Sequence, residues 1–193
     1  TELVGEGSVT AVRIDDGSQV PADVVIMGVG VEPRVDYLSN TGMIGGDPAG
    51  GVRVDGRLAT SAQDIYAAGD IAIYPVQDSE YRVEHWVHAQ AQGRHVARAM
   101  LGSTEPFTRV PFFWSRQYKT SVKYAGYPAR YDHIQYDGVP GNGEFIGGFF
   151  VGDRLVGIGG KGKANKFVKL AEMLEEGRRV DRQEFLGVRD SPG

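Results

Sequence analysis

After Pro106 the chain is cut into short β-prone runs, and this alternation of strand and turn constrains its fold more than any other feature. Phe112–Tyr118, Ser121–Ala125, His133–Tyr136, Phe145–Val151 and Leu155–Ile158 are separated by Gly, Pro and Asp. Strands at such close spacing predict an antiparallel sheet. Gly152-Asp153-Arg154 is placed to close its last hairpin.

Two helical patterns frame the sheet. From Val83 to Leu101 the residues Val83, Val87, Ala91, Val96, Ala97, Met100 and Leu101 form an apolar stripe that Gly102 is placed to stop. From Ala164 to Glu176 the residues Phe167, Leu170, Met173 and Leu174 share one face, with Gly177 as the stop. Asp181 and Glu184 then make a capping box for a short helix ending near Gly187.

The first part of the chain reads differently. Ser8–Ile14 alternates and is rich in β-branched residues, and Asp15-Asp16-Gly17-Ser18 supplies the turn of a hairpin. Ala22–Met27 is apolar apart from Asp23, as expected of a strand buried on both faces. It ends in Gly28-Val29-Gly30, and the ends of such strands are where open α/β sheets bind ligands. Val35–Leu38 is helix-like, Gly51–Asp55 is another strand, and the centre of Thr60–Asp70 is a short buried strand. A beginning in strand-like material predicts a start in mid-domain.

Composition limits the chemistry. A formal net charge of -4 and a pI near 5.6 weigh against general affinity for nucleic acid. With no cysteine there is no disulfide, thiolate metal site or redox dithiol, so any redox chemistry belongs to a bound cofactor. No apolar run reaches the ~20 residues of a membrane span. The four His show no metal-ligand spacing and no Ser or Cys nucleophile motif occurs, so neither a metal nor a catalytic side chain is expected. Gly157-Ile158-Gly159-Gly160-Lys161-Gly162-Lys163 lacks P-loop spacing, and Lys161, Lys163 and Lys166 read as a solvated basic patch.

Three constellations carry possible chemistry. The first is Ile65-Tyr66-Ala67-Ala68-Gly69-Asp70, with Thr60 and Asp64 upstream. Small residues let a ligand approach the backbone, and the carboxylate can accept hydrogen bonds from its hydroxyls; a bare AGD tripeptide would also serve as a helix N-cap. The second is Arg82-Val83-Glu84-His85-Trp86-Val87-His88-Ala89-Gln90, a polar cluster opening a helix, whose N-terminus suits negative charge; a solvated first turn is the plainer reading. The third is Pro111-Phe112-Phe113-Trp114-Ser115. Three aromatics in a row read as core and edge of a sheet, the plainer reading for Phe112 and Phe113.

The run from Thr60 to Asp70 resembles the second flavin motif of oxidoreductases with two dinucleotide-binding domains. Gly28–Arg34 resembles the loop that ends their NAD(P)H domain, with Arg34 where the family has Asn. Arg82–His85 before a long helix, the Phe-Trp-Ser run at Trp114 and Ser121–Tyr127 resemble the apoptosis-inducing-factor and ferredoxin reductase group. The resemblance implies that Gly69, Asp70 and Ile71 meet the ribityl and pyrophosphate parts of FAD. It further implies that Glu84, His85 and Trp86 face the pyrimidine edge of the flavin, that Trp114 is an aromatic platform at the rim, facing Glu84 to Val87 and stacking near the flavin and nicotinamide rings, and that Gly30 belongs to the NAD(P)H domain.

Both GxGxxG fingerprints are missing, so the resemblance covers the last part of such a protein. The expected fold is α/β plus α+β: the end of an NAD(P)H-binding domain (1–48), a returning FAD-domain segment (49–106) and a C-terminal antiparallel sheet with helices (107–193). The parent would be an intracellular enzyme, cytoplasmic or mitochondrial, passing electrons from NAD(P)H through FAD to a ferredoxin or Rieske-type acceptor protein. The chain alone is expected to hold neither cofactor and to be inactive. The alternative is a non-catalytic docking module of an apoptosis-inducing-factor-like protein.

Overall fold

The computed structural model describes residues 1–43, 50–76, 79–127, 130–141 and 143–190. The chain divides into two units, Thr1–Glu32 and Pro33–Gly193. The boundary expected at residue 48 lies outside the described residues.

In the first unit three short strands, β1 (Glu2–Val4), β2 (Ala11–Arg13) and β3 (Gln19–Pro21), pair antiparallel in that order. The expected turn joins β2 to β3: the Ser18 N–H donates to the Asp16 carboxylate at 2.8 Å, and Gly17 takes φ +84°. The double-buried strand expected at Ala22–Met27 does not form. No strand pairs with it among the described residues, and Val24 and Ile26 are 76% and 92% exposed. Its composition suits burial on two faces, but such burial requires neighbours on either side, and the first unit supplies none.

The second unit contains two cores. In the first, after a 3₁₀ turn at Asp36–Leu38, β4 (Val52–Arg53) runs parallel to β5 (Ala72–Val76), which pairs antiparallel with β6 (Ser79–Tyr81). The strand expected within Thr60–Asp70 reduces to one bridge, Ala59 to Tyr66. The cause is a tight local fold: Thr60 N–H bonds Ile65 O, the Thr60 hydroxyl bonds the same carbonyl, and Ala67 N–H returns to Leu58 O. One residue pair is then left in ladder geometry.

Helix α1 (Trp86–Met100) starts at an extended His85 and ends where Gly102, at φ +96°, donates to Ala99 O. Its buried face is His88, Ala91, Gln92, Val96 and Ala99, rotated from the expected stripe; Ala97, Met100 and Leu101 are exposed. Val52, Leu58, Ala72, Tyr74 and Phe107 complete this core.

The second core lies under the sheet. Strands β7 (Phe112–Gln117), β8 (Thr120–Gly126), β9 (His133–Gly138), β10 (Phe145–Val151) and β11 (Arg154–Lys161) form one antiparallel sheet in the order β7-β8-β11-β10-β9. Helix α2 (Ala164–Glu175) buries Phe167 and Leu170 against it, and Gly177 stops the helix at φ +68°. Helix α3 (Arg182–Gly187) shows one half of the expected capping box: the Glu184 N–H donates to Asp181 at 2.7 Å, while the Glu184 carboxylate pairs with Arg178 at 2.7 Å. Ile146, Phe150, Ile158 and Phe185 fill the interior.

The lysine patch expected to be solvated is in part a buried ion cluster. Lys166 is 1% exposed and lies 2.8 Å from Asp137, which also receives Lys163 at 2.5 Å. The Lys166 ammonium sits 4.8 Å from the centre of the Phe185 ring. Burial pushes the Asp137 carboxyl upward, but the hydrogen bonds and charges of Lys163 and Lys166 together outweigh it and hold the group below its ordinary value. Among the described residues no helix is long and apolar enough to cross a membrane.

Candidate functional site

At the end of the small-residue run, Gly69 adopts φ +82°, a conformation open to glycine and costly for other residues. The turn is closed by Ala72 N–H donating to Gly69 O at 3.0 Å, and Ile71 O accepts from Val52 N–H at 2.7 Å. The Asp70 carbonyl accepts from Arg82 at 3.0 Å, and the same guanidinium nitrogen reaches Glu84 at 2.7 Å. Arg82 therefore brings two sequence-separated candidates, Asp70 and Glu84, to one place. The Asp70 carboxylate is exposed and has no hydrogen bond or ion pair among the described residues.

Beside this loop a cavity of about 550 Å³ opens between the approach to α1 and the β7–β8 pair; its walls include Arg82, Glu84, His85, Phe113, Tyr124 and Tyr127. Gly126 also lines it, for a steric reason: at φ +114°, a Cβ there would stand 2.4 Å from Gly157 Cα across the β8–β11 pairing. Two buried polar atoms at this wall, Arg82 Nε and His85 Nδ1, have no hydrogen-bond partner among the described residues. Unpaired buried groups cost free energy, which a ligand offering an acceptor to the Arg82 Nε–H would relieve. Together with the free Asp70 carboxylate, these residues fit a polar planar cofactor edge joined to a hydroxylated chain.

Placement of the other candidates follows from strand geometry. Successive residues of β7 point to opposite faces. Phe113 lies on the cavity side, with ring centres 5.5 Å from His85 and 4.8 Å from Tyr124. Phe112 packs on Phe167 of α2, and Trp114 lies beside Phe112, 57% exposed. The expected orientation of Trp114 toward Glu84 to Val87 is therefore corrected: Phe113 is the ring that meets His85. Trp86, at the start of α1, is 72% exposed, and Gly30, at φ +85°, is an exposed residue of the first unit.

Behind the cavity runs a hydrogen-bonded chain that the apolar stripe did not reveal. His88 Nε2 lies 2.7 Å from the Tyr74 hydroxyl, which lies 3.1 Å from that of Tyr127, which donates to Arg109 O at 3.0 Å. Since a carbonyl only accepts, one proton order satisfies all three bonds: His88 Nε2–H to Tyr74, Tyr74 to Tyr127, Tyr127 to the carbonyl. His88 is thus a neutral donor. Burial, then the charges of His85 and Arg109, push it down to about 4. Burial likewise raises Tyr127 to about 12. In the sequence His88 stands within the polar run that opens α1, and its helical spacing with Ala91 and Val96 is the signal for its burial.

Comparison with known proteins gives two family matches: pyridine nucleotide-disulphide oxidoreductase over residues 1–93 and reductase C-terminal over residues 112–189. The chain is 30% identical over 188 residues to apoptosis-inducing factor 3 of Homo sapiens, covering 95% of this chain and 31% of that protein. Among solved structures it is similar to a ferredoxin reductase from Rhodopseudomonas palustris, at 31% identity and a TM-score of 0.82, covering 95% of this chain and 45% of that one. It is also similar to a covalent putidaredoxin reductase–putidaredoxin complex, at 28% identity and a TM-score of 0.82, with the same coverage. The chain thus spans less than half the length of each of these relatives.

Proposed function

Because this chain belongs to the pyridine nucleotide-disulphide oxidoreductases that end in a reductase C-terminal domain, we propose that it is the C-terminal part of an FAD-dependent NAD(P)H oxidoreductase that reduces a ferredoxin-type carrier. In this reading residues 1–48 end the NAD(P)H domain, 49–106 return to the FAD domain and 107–193 form the reductase C-terminal domain.

The observation that carries the reading is the Asp70 carboxylate, unbonded among the described residues, beside a cavity whose wall holds two buried polar atoms without a partner among them. Asp70 would accept a hydrogen bond from a ribityl hydroxyl, with Gly69 and Ile71 allowing close backbone approach. Glu84 and His85 would meet the polar edge of the isoalloxazine, while Phe113 and Tyr124 exclude water from one side. The bound flavin supplies the redox chemistry, taking hydride from NAD(P)H and releasing electrons singly. Between Phe107 and Tyr131 the chain carries five basic residues and no acidic one, which suits an acidic carrier approaching the β7–β8 hairpin near Trp114. The absence of cysteine points to a carrier rather than to a dithiol relay within this segment.

Asp70→Ala in the full-length flavoprotein tests the reading. Loss of that acceptor should weaken FAD retention by ~1–3 kcal/mol, read as flavin lost on dialysis. The purified 193-residue chain should be colourless. Unchanged flavin content after Asp70→Ala would overturn the assignment.

A further inference from the structure

A glutamine enclosed on the packed face of a helix is costly unless its amide is bonded. Gln92 is 1% exposed, on the same face of α1 as Ala91 and Val96. Its Oε1 accepts the Gly69 N–H at 2.7 Å, across 23 positions of sequence. Helix α1 also approaches the loop closely here, since a Cβ built on Gly69 would stand 3.4 Å from that of Ala89. We propose that Gln92 is a positioning residue: it fixes the backbone of the Gly69–Ile71 loop from beneath, so that the Asp70 carboxylate is presented to the flavin. The proposal rests on the reading of Asp70 as the flavin-binding carboxylate.

The bonding of the loop supports this role. Gly69 N–H, Gly69 O, Asp70 O and Ile71 O all have partners, supplied by Gln92, Ala72, Arg82 and Val52. The Asp70 side chain is left without one among the described residues. A loop whose backbone is tied on several sides holds its free carboxylate in one place, and a pre-placed acceptor loses less entropy on binding than a mobile one. Two of these four anchors are backbone groups, and Arg82 also bonds Glu84. Gln92 is therefore the anchor whose side chain can be changed without touching the cavity wall. It does not line the cavity, and its bond to the loop is to the Gly69 amide.

Gln92→Met keeps the length and packing of the side chain and removes the acceptor, whereas Gln92→Glu restores an oxygen at the same position. In the 193-residue chain, hydrogen exchange at the Gly69 amide should quicken about tenfold in Gln92→Met and return toward wild type in Gln92→Glu, with the Val96 and Ala99 amides unchanged. If Gly69 exchange stays unchanged, or if it quickens only together with those helix amides, the proposal is overturned. In the full-length flavoprotein, Gln92→Met should raise the FAD dissociation constant about tenfold, but by less than about twofold when Asp70→Ala is already present. Full multiplication of the two effects would mean that Gln92 serves general stability and not Asp70. If Asp70→Ala alone leaves FAD affinity unchanged while the Gly69 amide still loosens in Gln92→Met, the flavin reading of Asp70 fails and the anchoring of the loop stands.

Discussion

Around helix α1, burial includes His88 and Gln92, and the core there is joined by hydrogen bonds to Tyr74 and to a loop amide. Under α2 and α3, the sheet is closed by Ile146, Phe150, Ile158, Phe167 and Phe185, with one buried ion cluster at its margin. The first core is assembled from two- to five-residue strands and turns, the second from six- to eight-residue strands in hairpin register. The part that holds the candidate ligand loop is thus specified by directional bonds, and the part that supports it by apolar area. Directional bonds fix positions to fractions of an ångström at modest net stability, whereas apolar burial gives stability with little direction.

The contrast can be broken most directly at Phe150, which is fully enclosed and meets Phe185 edge-on at 5.8 Å. Phe150→Ala should cost ~3–5 kcal/mol in urea denaturation. A loss under about half that range would show that the sheet does not depend on its apolar interior in the way claimed.

Asp137→Ala should cost about 3 kcal/mol, the low end for a broken buried pair, because it leaves Lys166 enclosed without its counter-charge. If the loss is below what an exposed pair gives, ~1 kcal/mol, the cluster is ornamental to the sheet.

Acid should separate the two cores. His88 sits at about 4 when folded against an ordinary 6.5, so the unfolded chain takes up the proton first. Its contribution is intact above pH 6.5, declines as the pH falls toward 4 and is then flat, for a total on the order of 3 kcal/mol. Asp137, depressed from 3.8, keeps its contribution through that window and loses it only as the pH falls further. Denaturation curves at successive pH values should therefore show the first loss in wild type and a smaller one in His88→Gln, since burial also lowers His95 and its share remains. A wild-type profile flat between pH 7 and 4 would refute it.

The smallest effect is expected at Trp114, where 57% exposure predicts that Trp114→Ala costs less than about 1 kcal/mol. A loss typical of a buried aromatic, ~3 kcal/mol or more, would place its ring in the sheet core after all.

These differences also explain what could be read from the sequence. The five strands of the sheet, the β10–β11 turn at Gly152 and the Asp181 cap have signatures in residues close together in the chain, even though β11 pairs with the distant β8, and each is found close to where period and turn chemistry put it. The buried face of α1 departs from the apolar stripe because a stripe of apolar letters cannot include His88 or Gln92, whose partners Tyr74 and Gly69 lie 14 and 23 positions away. Lys166 was misplaced for the same reason, its counter-ion being on β9. For Ala22–Met27, apolar composition is a necessary condition for a central strand, but pairing requires other strands. In the candidate site, the Gly69–Asp70 turn was legible from its small residues. The role of Arg82 as the bridge to Glu84 depends on a side-chain direction that no local pattern encodes.

The alternation along β7 has one more consequence. Phe113 and Trp114 are neighbours in the chain, yet they serve opposite surfaces, and what assigns each to its surface is parity and not chemistry. The strand is a reading frame of period two. Deleting one residue between Val110 and Phe112 would present Trp114 to His85 and turn Phe113 toward α2 without changing either side chain. Single-residue insertions or deletions before this strand should therefore harm the protein more than aromatic exchanges within it.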